Sequence, residues 1–256
     1  MAIRLENRVA IVTGGARGIG QAYCLGLARA GARVVVADVL DTAETGAQVK
    51  TAGGDAIGVT VDVASFASVQ AMAAKAMAAF NKIDILVNNA ALMANLKMGS
   101  FSQIAEEEWD SVMAVNVKGI WQCIKAVTPS MIRQKYGKII NISSTTVLMG
   151  VPGLLHYVTS KGAVFAMTRA LSRELGPMGI RINTIMPGLT QSQAMKNMMA
   201  GTPQLEGMSR QLAAQAALGR EQQPEDLVGT VLFLASEDSD FMTGQNLTVD
   251  GGVAHW

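Results

Sequence analysis

Tyr157-Val-Thr-Ser-Lys161 sets a phenol and an ammonium four residues apart, which on a helix is one turn and one face. A positive charge close to a phenol favours the phenolate and lowers its pKa. A tyrosine so placed can give and take a proton near neutral pH, which an ordinary one with a pKa of about 10 does poorly. The spacing also occurs on plain surface helices, so its weight depends on what lies upstream. There, Thr13-Gly-Gly-Ala-Arg-Gly-Ile-Gly20 joins a strand to a helix. Gly14, Gly18 and Gly20 let backbone approach a pyrophosphate closely, and the helix N-terminus stabilises its charge; Arg17 and Ile19 belong to the same turn. Asp38 ends the next strand, where its carboxylate can accept from ribose hydroxyls and would repel a 2′-phosphate, favouring NAD over NADP. Arg17 pulls the other way but can swing into solvent. Asp62, after the third strand, reads either as a helix N-cap neighbour or as an adenine contact.

These residues need a scaffold, and the pattern supplies one. Short β-branched runs alternate with stretches of helical period, which argues for βα units and a parallel sheet. Strands are expected at Arg8–Val12, Arg33–Ala37, Ala56–Val61, Ile83–Asn88, Lys138–Ser143, Arg181–Met186 and Asn246–Val249. Helices are expected from the glycine turn to Gly31, then at Ala43–Ala52, Ser65–Phe80, Glu106–Thr128, His156–Leu175 and Pro224–Ala235. The Met/Gln-rich segment Gly188–Gln223 reads as an irregular flap over the substrate. No linker or repeat divides the chain, so residues 1–256 form one α/β domain of Rossmann type, a doubly wound, seven-stranded parallel sheet with helices on both faces.

Half of the 256 residues are hydrophobic, 16% are charged and the net charge is +1. A large core follows, with no electrostatic footprint for nucleic acid or an anionic membrane. Cys24 and Cys123 lie far apart and read as free, buried thiols of a reducing compartment. With no signal-peptide pattern and no spanning apolar run, a cytoplasmic protein is expected. No His/Cys/carboxylate cluster has metal-ligand spacing.

Taken together, the chain resembles the short-chain dehydrogenase/reductase family over nearly its whole length. The glycine turn matches the family's TGxxxGxG, Asp62-Val63 its adenine-binding pair, and Asn88-Asn-Ala-Ala91 its NNAG, with Ala91 in the glycine place. Asn116 matches the helix asparagine of the catalytic tetrad. Ser144, thirteen residues before Tyr157, matches the catalytic serine. Pro187-Gly188, Thr243-Gly244 and Val249-Asp-Gly-Gly252 match its later motifs. The resemblance implies hydride transfer between nicotinamide and a carbinol carbon, with Tyr157 as acid/base, Lys161 holding the nicotinamide ribose and Ser144 holding the substrate oxygen. It implies that Asn116 interrupts its helix and holds a water. It also implies that Asn89, Pro187, Gly188 and Thr190 line the nicotinamide, with Ser192 a weaker candidate. Without the family, Asn116 would read as a solvent-facing helix residue and Ser144 as a strand-end turn.

Around the tetrad the sequence is apolar: Met93, Val147, Leu148, Met149, Leu154, Leu155, Leu189, Met195 and Met199, with Thr146 among them. Such a pocket suits an uncharged, hydrophobic secondary alcohol or ketone, and methionines let it adapt. No Arg or Lys there clamps a carboxylate. His156 is expected to pack or meet solvent rather than act as a base. Within the family, Asn141-Ile-Ser-Ser-Thr-Thr and His156-Tyr resemble dehydrogenases of aryl-alkyl secondary alcohols such as 1-phenylethanol. The rival is a 3-oxoacyl-[acyl-carrier-protein] reductase, disfavoured by Asp38 and by Met178 where a carrier-catching arginine is expected. A catalytically silent NAD-binding sensor or scaffold is the third reading, opposed by the intact tetrad. Apolar residues beyond what a one-sided helix needs, at Val112, Met113, Trp121, Phe165 and Met167, suggest partner helices, and the resemblance adds a homotetramer.

Overall fold

The Val- and Ile-rich runs become seven strands: β1 (Val9–Thr13), β2 (Arg33–Asp38), β3 (Ala56–Thr60), β4 (Ile85–Asn88), β5 (Gly137–Ile142), β6 (Ile180–Pro187) and β7 (Asn246–Val249). In this computed structural model, which describes residues 4–93, 96–193, 195–196 and 203–254, they form one sheet of order β3-β2-β1-β4-β5-β6-β7. Every pairing is parallel. β1 is buried at all five positions because both faces of the sheet are covered. Val9 and Ile11 face one core, shared with Met72 of helix α3 (Phe66–Phe80) and Val127 of α5 (Gly119–Gln134). Ala10 and Val12 face the other core, shared with Leu27 of α1 (Gly18–Arg29), Val49 of α2 (Ala43–Thr51) and Val231 of α9 (Val228–Ala235).

Strand order reverses between β1 and β4, and in such sheets ligands bind in the crevice at the carboxyl ends there. The glycine turn leaves β1 at that point, and Thr13 pairs with Asn88. Helix α7 (Leu155–Leu175), which carries Tyr157 and Lys161, packs on β6 and β5 from the side of α5.

Two elements differ from expectation. The helix from Glu106 does not stop at Thr128: α4 (Glu106–Met113) passes through a π turn at Ala114–Lys118 into α5, which ends at Gln134. Pro129 lies inside α5 and forfeits one ladder bond, but Met131 beyond it is fully buried, and that burial carries the helix on. Secondly, the flap is partly regular, because Pro203–Gln215 forms a helix, α8. Proline at a first helical position is a start signal the composition-based reading passed over. Short helical turns also form between the expected elements, at Phe101–Gln103 and Thr146–Met149 (α6).

Candidate active site

At the phosphate end, the glycines are needed for space and for backbone angle. A side chain at Gly14, where φ is +67°, would come within 2.9 Å of the Ala90 backbone, and one at Gly20 would meet the Gly14 carbonyl. Arg17, exposed at the N-cap of α1, makes no side-chain cap bond, so protein side chains leave the helix N-terminus free for an anion. Asp38 is buried at the end of β2, where one carboxylate oxygen accepts from Ala16 N (2.9 Å) and the other from Leu40 N (3.0 Å). Each oxygen keeps a lone pair for a ribose hydroxyl. These residues fit a dinucleotide: the turn Gly14–Gly20 for the pyrophosphate, Asp38 for the adenosine ribose. Ile19 packs against the core, and its part is the turn's backbone.

Other expected cofactor residues hold the protein itself. Asn89 Nδ2 donates to the carbonyls of Thr13 (3.1 Å) and Gly14 (3.0 Å), pinning the glycine turn. Asp62 is exposed and accepts from Ala64 N at 2.9 Å, a turn contact. Val63 is buried, and its carbonyl receives Gln122 Nε2 at 2.7 Å. The Pro187 carbonyl receives both Thr145 N and Thr145 Oγ1, while Gly188 N donates to Val249 O. Thr190 spends its hydroxyl on Gln222 Oε1 (3.0 Å) and Gly188 O. Ser192 stands over the glycine turn: its Cβ lies 3.2 Å from where a Gly18 side chain would begin.

The tetrad residues come together from three elements. Asn116 sits in the π turn, so the i→i−4 ladder is interrupted where the resemblance implies. It is fully buried rather than solvent-facing: Oδ1 accepts from Leu92 N (2.8 Å), and Nδ2 donates to Leu92 O (3.2 Å) and Ser160 Oγ (3.1 Å). Ser144 follows β5, accepts from Thr146 N through Oγ at 3.2 Å, and its hydroxyl acts on the Tyr157 phenol in the direction that lowers its pKa. Tyr157 and Lys161 lie one turn apart on α7, with Lys161 Nζ 5.6 Å from the phenol ring centroid and donating to Ile142 O at 2.8 Å. Burial pushes the Tyr157 phenol up to about 12, opposed by the Ser144 hydroxyl. Burial also pushes the Lys161 ammonium down to about 8. The expected lowering of the tyrosine by its lysine is therefore overridden by loss of water.

The candidate pocket residues divide. Met93 and Met195 are half-buried, Met149 is exposed at the rim and Leu154 is buried at the start of α7. Thr146 Oγ1 is buried and has no hydrogen-bond partner among the described residues. Leu189 turns toward α8, lining a small cavity with Ser209, Leu212, Gln222 and Val253. Met199 lies outside the described residues. Sequence reasoning missed the pair His156 Nε2–Glu108 Oε1 (2.7 Å) and the tie of Gln191 Nε2 to Ser209 Oγ (2.6 Å) and Glu221 Oε1 (3.1 Å). Their partners are far apart in the chain, so no local spacing announces them. Cys24 and Cys123 are free and buried, as expected. Among the described residues no cluster could hold a metal ion and no helix is long and apolar enough to cross a membrane.

A buried tyrosine one turn from a lysine, beside a crevice whose glycine turn fits a dinucleotide, is an arrangement suited to an oxidoreductase that uses a nicotinamide dinucleotide. A sequence model described as enoyl-(acyl carrier protein) reductase matches residues 14–254, and the chain belongs to that short-chain dehydrogenase/reductase family. It is 37% identical over 251 residues to the 3-oxoacyl-[acyl-carrier-protein] reductase FabG of Staphylococcus epidermidis, covering 96% of this chain and 99% of that one. It is also 37% identical to the (2S)-[(R)-hydroxy(phenyl)methyl]succinyl-CoA dehydrogenase subunit BbsD of Thauera aromatica, over 97% of both chains. A solved structure from Beutenbergia cavernae, described as an NAD(P)-dependent gluconate 5-dehydrogenase with NADP bound, superposes with TM-score 0.90 at 31% identity, covering 99% of each chain. These names favour the 3-oxoacyl rival over the free aryl-alkyl alcohol drawn from the sequence.

Proposed function

We propose that this protein interconverts a 3-oxoacyl thioester and its 3-hydroxy form, using NAD(H). The observation that carries the chemistry is that Tyr157 is buried with Ser144, with Lys161 one turn along the same helix and its Nζ 5.6 Å from the phenol ring. The bound cofactor supplies or accepts the hydride. Tyr157, neutral at physiological pH, donates the proton to the carbonyl oxygen in reduction and takes it back in oxidation. Ser144 holds that oxygen and steadies the charge it gains. Lys161 keeps a positive charge beside the phenol below its pKa of about 8. Asn116 ties the segment after β4, at Leu92, to Ser160 of α7.

The substrate class rests on the relatives' names together with the apolar rim. One relative acts on 3-oxoacyl chains, another on a phenyl-bearing carbinol of an acyl-CoA, and both are met by a pocket of Met93, Met149 and Met195. Asp38 supports NAD over NADP, since a buried carboxylate facing the ribose repels a 2′-phosphate. A free hydrophobic secondary alcohol is the second reading, favoured by Met178, 42% exposed where a carrier-catching arginine is expected. We also propose a homotetramer built on α5 and α7.

Reduction of acetoacetyl-CoA and of a 3-oxoacyl carrier protein, followed with NADH and with NADPH, is the test, run beside oxidation of 1-phenylethanol with NAD. Turnover of the thioesters with NADH is expected, and Tyr157→Phe should lower it by about 10²–10⁴-fold. Turnover of 1-phenylethanol alone would replace the first reading with the second. NAD binding without turnover of any carbonyl or alcohol would overturn both.

A further inference from the structure

Along α4 and the π turn that continues it, Glu108, Val112 and Asn116 follow one another at four-residue intervals and face inward. Among the three acidic residues of the first turn, Glu106 and Glu107 are exposed, whereas the Glu108 side chain is 35% exposed. On α7, His156 and Ser160 are likewise one turn apart and buried. The two faces meet twice: Asn116 Nδ2 donates to Ser160 Oγ at 3.1 Å, and His156 Nε2 lies 2.7 Å from Glu108 Oε1. A carboxylate only accepts, so His156 donates to it from Nε2. Among the described residues the buried Nδ1 has no hydrogen-bond partner. A buried imidazole with an orphan nitrogen costs stability, so packing alone would favour an apolar residue here. The Glu108 bond is what the histidine contributes.

That bond has a specific lever arm. His156 is the residue before Tyr157, and α7 begins only one residue earlier at Leu155, behind an N-cap, Leu154, that makes no side-chain cap bond. The start of α7 therefore lacks the usual polar anchor, and the Glu108–His156 bond takes its place. Helical geometry turns His156 and Tyr157 about 100° apart, so fixing one fixes the direction of the other without contact between them. Nearby, Gly99 N donates to Gly153 O at 3.1 Å, joining the same two stretches of chain just ahead of α4 and α7.

We propose that Glu108 and His156 are positioning residues: their bond sets the rotation of the first turn of α7 and so holds the Tyr157 hydroxyl toward Ser144. This rests on the proposed acid/base role of Tyr157, but it concerns geometry that exists without turnover. His156→Ala and Glu108→Ala should each lower kcat about tenfold with KM and NADH affinity within about twofold, as loss of alignment rather than of binding. The double variant should be no worse than either single one, because both remove one bond. His156→Gln, whose amide nitrogen can reach the position of Nε2, should restore most of kcat. Val164→Ala, a core change on the same helix, should lower melting temperature without this selective loss of kcat.

A second readout is independent of any substrate. In protein carrying ¹³C at tyrosine Cζ, the Tyr157 resonance, assigned with Tyr157→Phe, should titrate near 12 in the wild type and nearer the ordinary 10.0 in His156→Ala, as burial of the phenol is relaxed. If wild-type protein turns over no carbonyl but the resonance shifts in this way, the proposed function falls and the positioning stands. If the resonance does not move in His156→Ala or Glu108→Ala, or if kcat falls no more than in Val164→Ala, the positioning is overturned.

Discussion

Burial takes Tyr157 and Lys161 out of water together, and in each the cost falls on the charged form. The phenol therefore rests protonated, up to about 12, and the ammonium releases its proton more easily, down to about 8. The signs set a direction. Reduction of a carbonyl needs a phenol to give its proton, and that form is present across the neutral range. Oxidation needs the phenolate, so its rate should climb with pH through the alkaline range while reduction does not. Between about 8 and 10.5 the folded protein holds fewer protons on Lys161 than the unfolded chain does, so this residue's contribution favours folding more as pH rises there. With ¹³C at lysine Cε, one resonance should titrate near 8 and be missing in Lys161→Met. A Lys161 resonance titrating near 10.5 would show that Lys161 is hydrated and that the burial argument fails.

Elements matter here through how firmly they hold the glycine turn. Ala16, inside that turn, is gripped at both backbone groups: its N–H by Asp38 Oδ2 at 2.9 Å and its carbonyl by Thr45 Oγ1 at 2.9 Å. Thr45, fully buried on α2, also accepts from Gln21 Nε2 of α1 at 2.9 Å. α2 thus braces the glycine turn, proposed above to receive the pyrophosphate, from outside the crevice. Thr45→Val keeps shape and removes the donor, leaving a buried carbonyl unpaired at a cost of about 1–3 kcal/mol. NADH affinity, read by fluorescence, should weaken about tenfold; unchanged affinity would mean that the turn holds itself. Strands and glycine turn were legible in the sequence because both are local signals, a β-branched run and a spacing. Thr45 was not, since its partner lies 29 residues away and a threonine on a helix face announces nothing. The same holds for Glu108 and His156, 48 residues apart. Asn116 was legible only through family resemblance, because nothing in Val-Asn-Val distinguishes a π turn from an ordinary one. Helix α8 was obscured by Met and Gln, which lack a clear apolar stripe.

The whole molecule presents apolar surface that its own core does not use. Trp121 on α5 and Leu155 on α7 are each 45% exposed. Lys125 lies with its ammonium 5.1 Å from the Trp121 ring and 4.8 Å from the Phe66 ring, an arrangement that leaves one charge over a flat aromatic face. Covering such a face releases ordered water and keeps the cation against the rings, so a second copy meeting it helix to helix would be stabilised. The reach of the effect extends to the site, because α5 continues from the π turn that holds Asn116 and α7 carries Tyr157. Trp121→Glu introduces a charge that must be desolvated if the helices pair. Light scattering should give a mass of four chains for the wild type and a smaller one for this variant, with NADH still bound because α1, which the glycine turn opens, packs on the opposite face of the sheet from α5. Dissociation should also lower kcat by loosening the α4–α7 contact. A variant that keeps the wild-type mass would remove α5 from the interface, and a wild type that scatters as a single chain would remove the tetramer altogether.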